Sequence, residues 1–155
     1  MKTVAMLALV VLTQDAADPK KKDAMKGALQ ELAEGKGDLQ KLVVTWDDLH
    51  GLHGGLKLTI RGDGTISQEA KFTKVGEPRE KLDPKGVREL VDKLLALEAW
   101  VQKVPERPAI PDESRARLTI SAGGESVTVW EWYNDLAKNK RLVEIRDLMQ
   151  KLAWK

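Results

Sequence analysis

The stretch WDDLHGLHGG, Trp46 to Gly55, gathers both histidines of the chain, two aspartates and three glycines. Two imidazoles and a carboxylate are a donor set for catalytic zinc, provided that all three lone pairs aim at one point about 2 Å from each donor. His50 and His53 are three residues apart, which places them together on a helix and on opposite faces of a strand. Gly51, Gly54 and Gly55 argue against a helix, so only an irregular loop brings the two rings together. Asp47, His50 and His53 therefore form the one metal-binding alternative, a metal-dependent enzyme or metal-binding protein. The reading we favour is a loop that closes strand ends, its histidines held no closer than chance and left to hydrogen bonds or solvent. Asp47 and Asp48 are adjacent, and on a strand their carboxylates diverge, so they do not make a facing acid and base.

Other catalytic signatures are missing from the sequence. It has no Gly-x-Ser-x-Gly elbow, no phosphate-cradling glycine loop and no HExxH, and Arg61 stands where a calcium loop needs its first acidic ligand. We expect a protein that is not an enzyme and takes no cofactor. With no cysteine in 155 residues, disulfides, thiolate zinc sites and a cysteine nucleophile are excluded. A net charge of +2 comes from 26 basic and 24 acidic residues mixed along the chain, which gives no single-sign field for nucleic acid. The tripeptide Arg61-Gly62-Asp63 spells an adhesion motif, but a hairpin tip explains each of its residues.

The second group of interest is aromatic. Trp130 and Trp132 fall on one face of a strand, opposite Val127, Val129 and Glu131. If the valines face the helices, the tryptophans lie on the open face of a sheet beside Arg115 and Arg117, a composition typical of partner surfaces. The competing reading is that the amino-terminal strand or helix covers them and they are core.

Several elements must position these residues. Residues 1–17 carry Lys2, an apolar run from Val4 to Leu12 and a small-residue end, the layout of a secretory signal, so we expect a secreted or periplasmic protein. The apolar run reaches only about 13 Å as a helix, too short to span a membrane. Residues 18–155 then form one domain. Asp18-Pro19 caps a helix with Met25, Ala28, Leu29 and Leu32 on one side, ended by Gly35 and Gly37. A strand over Leu42–Trp46 follows, then a hairpin over Leu56–Ala70 turning at Asp63-Gly64. Asp83-Pro84 opens a second helix with Val87, Leu90, Val91, Leu94, Leu97 and Val101 on one face and Glu89 paired with Lys93 outside. After a proline-rich loop, residues 116–132 make another hairpin turning at Gly123-Gly124. Leu142, Ile145, Leu148, Met149 and Leu152 mark a last helix, with six basic residues between Lys138 and Lys155 against Glu144 and Asp147. The fold class is α+β: an antiparallel sheet of four or five strands, built of two hairpins, with helices packed on one face. The two hairpin-then-helix units, 56–102 and 116–154, read as a pseudo-repeat.

The segments HGGLKLTIRGDG, LDPKGVRELVDKLLALEAW, DESRARLTISAGGESVTVWEW and LVEIRDLMQKLAW, in that order over residues 53–154, resemble the emfourin family of small bacterial protease inhibitors. In that pattern a glycine-rich start leads into a hairpin, a Leu-rich helix ends at an aromatic residue matched by Trp100, and an acidic loop precedes a second hairpin. Leu56 stands where the pattern has an aromatic residue after Gly54-Gly55, and residues 1–40 are additional. The resemblance implies a protein-binding module that inhibits thermolysin-like metallopeptidases, with Gly54, Gly55 and neighbouring loop residues meeting the partner's active-site cleft. His50, His53, Gly54, Gly55, Trp130 and Trp132 are thus the candidate partner-binding residues. The partner is a secreted peptidase or another protein, and not nucleic acid. An exported domain with a structural role is the remaining alternative.

Overall fold

A computed structural model of the protein describes residues 18–155; the expected export signal lies outside the described residues. The first helix, α1 (Pro19–Ala33), begins where the Asp18 carboxylate accepts the Lys20 N–H at 2.9 Å, satisfying one of the free amides of the first turn. A short 3-10 turn, Leu39–Lys41, leads into β1 (Val43–Asp47). Strands β2 (Gly55–Arg61) and β3 (Ile66–Lys71) form the first hairpin, and α2 (Pro84–Ala96) follows behind an Asp83 cap that accepts the Gly86 N–H at 2.6 Å. Strands β4 (Arg115–Ala122) and β5 (Glu125–Trp132), a 3-10 segment (Tyr133–Lys138) and α3 (Lys140–Ala153) complete the chain.

The five strands form one antiparallel sheet in the order β3-β2-β1-β4-β5. Each hairpin is therefore sequence-local, while β1 is the seam that joins them, pairing with β2 on one side and β4 on the other. Strand alternation gives the sheet two different faces. On one, Val44, Trp46, Leu58, Ile60, Leu118 and Ile120 are fully covered by the helices, which contribute Met25, Leu29, Leu90, Leu94, Leu142 and Ile145. Burial of each such side chain is worth about 1.5–3 kcal/mol, and this packing is what holds the helices on the sheet.

The other face carries polar rows that follow from register. Ser67, Thr59, Thr45, Thr119 and Thr128 run straight across all five strands, with Thr45 and Thr59 hydroxyls 3.0 Å apart and those of Thr119 and Thr128 2.9 Å apart. The next row is Glu69, Lys57, Asp47, Arg117 and Trp130, in which charge alternates and ends on an indole. Opposite charges on directly opposed strand positions favour this register.

Some elements depart from the sequence expectation. Helix α2 stops at Ala96 instead of continuing through Val101, because Glu98 takes a left-handed backbone (φ 46) and the Ala99 N–H bonds back to Leu94 O at 3.0 Å. Glu89 and Lys93 do not pair with each other: Lys93 reaches Glu144 and Glu89 reaches Lys151, at 3.7 and 3.5 Å. Packing of α2 beside α3 offers cross-helix partners that compete with the local pair. The 3-10 segment Tyr133–Lys138 was not foreseen. Among the described residues no helix is long and apolar enough to cross a membrane.

The two faces make a contrast that denaturation can measure. Leu118→Ala, in the fully buried row, is expected to cost about 2–5 kcal/mol of unfolding free energy. Thr128→Ala, in the polar row, should stay within about 1 kcal/mol in the same urea titration.

Candidate functional site

The connection from β1 to β2 is built from the core outward. The indole N–H of Trp46, a ring with no solvent exposure, donates to Asp48 Oδ2 at 3.0 Å, and the Leu56 N–H donates to Asp48 Oδ1 at 2.7 Å. One carboxylate thus ties the end of β1 to the start of β2. A β-carbon at Gly55 would collide with the Asp48 carbonyl and lie 2.8 Å from its Oδ1, and Gly55 has φ 134, so only glycine admits this approach. Asp47 Oδ1 accepts the Leu49 N–H at 3.1 Å. His50 and Gly54 exchange backbone hydrogen bonds at 2.9 and 3.0 Å, closing the tip.

The histidines complete that tip. His50 Nδ1 accepts the N–H groups of Leu52 and His53, at 3.2 and 3.3 Å. Two donors aimed at Nδ1 require its lone pair, which puts the ring proton on Nε2. The rings of His50 and His53 stack with centroids 4.9 Å apart and an interplanar angle of 16°. This corrects the expectation that the imidazoles sit no closer than chance: the irregular loop folds around His50 as a hub and carries His53 onto it. No third ligand joins the two rings among the described residues. Nδ1 is engaged within the loop and Asp47 is turned to Leu49. Among the described residues no group of three or more histidines and carboxylates could hold an ion.

The loop tip exposes Gly51, Leu52 and His53. Leu52 is 77% exposed at the tip. Phe72, immediately after β3, is 79% exposed in a left-handed backbone (φ 53), and it sits against the loop, since a β-carbon on Gly54 would lie 2.8 Å from Phe72 Cβ. Lys71 binds the tip from the same side, its ammonium donating to Gly51 O at 2.7 Å. Gly54 and Gly55, expected at a partner interface, are buried and shape the loop from beneath. Leu52 and Phe72 are the large side chains that point away from it.

The tryptophans stand at the same end of the sheet, because Asp47 faces Arg117, Arg117 faces Trp130, and Arg115 faces Trp132. Neither ring belongs to the helix-side core. They lie edge to face, centroids 5.1 Å apart, with the Arg115 guanidinium 4.0 Å from Trp130 and 4.7 Å from Trp132, and Arg107 5.0 Å from Trp132. Such stacking covers Trp132, only 8% exposed, and leaves Trp130 half-buried. Among the described residues the cover is arginine from β4 and the proline-rich loop. The Gln102 side chain donates to Trp130 O at 3.0 Å and accepts its N–H at 2.8 Å, which occupies the outer edge of β5.

Arg107 is the pin of that loop. It bonds Glu113 and Asp135, both at 2.6 Å, and Asp135 also accepts from Lys138 at 2.8 Å. The Arg107 guanidinium holds the Glu113 carboxyl below its usual value, and Lys138 followed by Arg107 does the same to Asp135. No protein-family model, curated protein or solved structure matches the chain. The functional reading rests on the geometry and the sequence pattern.

Sequence reasoning singled out the loop and the tryptophans but missed Leu52, Phe72, Gln102 and Arg107, and the tie that Asp48 makes between Trp46 and Leu56. Leu52, a large apolar residue between Gly51 and His53 in a glycine-rich turn, carried a usable signal. Gln102 had none, as Trp130 is 28 residues away, and Arg107 joins Glu113 in its own aperiodic loop to Asp135, 28 residues on.

Asp48→Ala leaves the Leu56 N–H and the Trp46 indole without their acceptor, and is expected to cost about 1–3 kcal/mol in chemical denaturation with the fold retained. The Arg107 pin generates a pH dependence. A carboxyl whose folded pKa is depressed stabilises the fold above its unfolded value, near 4, and loses that contribution as pH falls through the lower folded value. The gap in melting temperature between wild type and Arg107→Gln should accordingly be full at pH 6 and shrink as pH falls below about 4.

Proposed function

We propose that the protein is a secreted or periplasmic protein-binding module whose 48–54 loop enters a cleft of its partner, and that the partner is a thermolysin-type metallopeptidase which it inhibits. The observation that carries this reading is the locked loop with Leu52 directed outward. Seven residues are cross-tied through Asp48, His50 and Lys71 before any partner arrives. An apolar side chain on a pre-ordered loop enters a concave site without the ordering cost of about 0.5–1.5 kcal/mol for each side chain that a flexible loop would have to immobilise. Leu52 and Phe72 would bury exposed apolar surface, and Arg115, Arg117 and the half-covered Trp130 provide an adjoining polar and aromatic rim. The emfourin-like order of segments over residues 53–154 supports the choice of partner, and the apolar run within residues 1–17 supports export.

Titration of a thermolysin-type metallopeptidase with the purified protein tests the proposal. Hydrolysis is expected to fall to background at micromolar protein. Leu52→Asp should weaken inhibition at least about ten-fold, equivalent to about 1.4 kcal/mol, while Arg88→Asp on the exposed side of α2 leaves it unchanged. Undiminished hydrolysis with a micromolar excess of wild type contradicts the inhibitor reading, and equal potency of Leu52→Asp contradicts the loop as its instrument.

A further inference from the structure

Away from the loop tip, a cleft of about 550 Å³ opens between the 103–107 segment and the start of α3. That volume falls within the range of about 300–1,000 Å³ usual for small-molecule sites. Five cations line it, Lys103, Arg107, Lys138, Lys140 and Arg141, with two carboxylates, Glu131 and Asp135; beyond the lining, Glu98 meets Lys103 at 3.4 Å and Glu113 meets Arg107 at 2.6 Å, which leaves Lys140 and Arg141 as the cations without an ion-pair partner among the described residues. The cations come from the proline-rich loop, the 3-10 segment and α3, so the fold brings them together and no single basic run does. Both carboxylates are already engaged. Glu131, 3% exposed, accepts the Trp132 N–H at 2.9 Å and the Asn139 amide at 3.0 Å, and Asp135 is bound by Arg107 and Lys138.

Arg141 shows most clearly what is left uncompensated. Its guanidinium donates to Glu98 O at 2.9 Å and Val101 O at 2.7 Å, backbone carbonyls beyond the end of α2 that orient it but supply only partial negative charge. Burial holds its pKa below the ordinary arginine value against the opposing charge of the Glu98 carboxylate, which lies outside ion-pair distance. Lys140, next to it at the mouth, is exposed and has no side-chain partner among the described residues. On the neighbouring helix surface, by contrast, Lys93 and Lys151 each meet a glutamate. A desolvated guanidinium gains most from an anion, because the attraction is screened less there than in open water. Trp132 and Pro105 give the same cleft an apolar wall.

We propose that this cleft binds a small organic oxyanion, a ligand with two or more phosphate or carboxylate charges, with Arg141, Lys140 and Lys138 as its contacts. Phosphates and carboxylates share the geometry that a guanidinium fork and ammonium groups recognise. The site is independent of the inhibitory loop, which shares no residue with it.

Isothermal titration of the whole protein with pyrophosphate and, separately, with citrate at constant ionic strength tests the inference and distinguishes the two ligand classes. Saturable one-site binding of at least one anion, with Kd below about 1 mM, is expected. Lys138→Glu/Lys140→Glu should weaken it at least about ten-fold. Lys85→Glu/Arg88→Glu, the same charge change on the exposed side of α2, should leave it within about two-fold. Pyrophosphate binding alone marks a phosphate site and citrate binding alone a carboxylate site, and either supports the proposal. No saturable heat from either anion, or equal weakening by the two double variants, overturns it and leaves a solvated surface cluster of charge.

Discussion

The Asp48 carboxylate is the interaction on which the order of the β1–β2 loop depends. It accepts from an indole locked in the core and from Leu56, the second residue of β2, so the rigidity of the helix-covered sheet is transmitted to seven residues that would otherwise be free. A short polar connection rich in glycine has high conformational entropy, and fixing each residue costs about 1–2 kcal/mol. That cost is met within folding, through the carboxylate, the His50 acceptor and the Lys71 ammonium. Gly55 permits the carboxylate to approach, which is why the glycines matter although they are buried.

The sheet divides its work between faces. Helices on one side bury the apolar rows and supply the stability. The other side, with its hydroxyl ladder and its alternating charges, needs no cover because its polar groups pair across strands or meet water. Antiparallel sheets tolerate this one-sided arrangement. The proposed partner surface lies at one end of the sheet, where the β1–β2 loop, the residue after β3, the start of β4 and the end of β5 all emerge together. Arginines stacked on Trp130 and Trp132 keep two large rings on the open face without exposing a contiguous apolar patch.

Elements and fold class were legible in the sequence because their signals are local. Asp18-Pro19 and Asp83-Pro84 are helix starts by side-chain chemistry alone, and Asp63-Gly64 and Gly123-Gly124 are turns by backbone freedom, with Gly64, Gly123 and Gly124 at φ 90, 59 and 86. The loop was recognised as irregular for the same reason. Features created by tertiary contact were not legible. The end of α2 depends on a left-handed Glu98, Glu89 and Lys93 find partners on α3, and the tryptophan cover depends on Arg107 crossing from a loop with no periodicity. The histidine pair lies between these cases: spacing excluded regular elements correctly, but only three-dimensional closure around Nδ1 shows that the rings stack.

The central claim is that the loop is ordered in the free protein. Amide hydrogen exchange at Leu52, His53 and Leu56, followed by NMR in the absence of any partner, measures it directly, because their N–H groups are the ones held by His50 and Asp48. Exchange slowed at least about ten-fold relative to an unstructured peptide at all three positions is the result the account predicts. Exchange at the unstructured rate at Leu52 and His53, with the strands still protected, would contradict it.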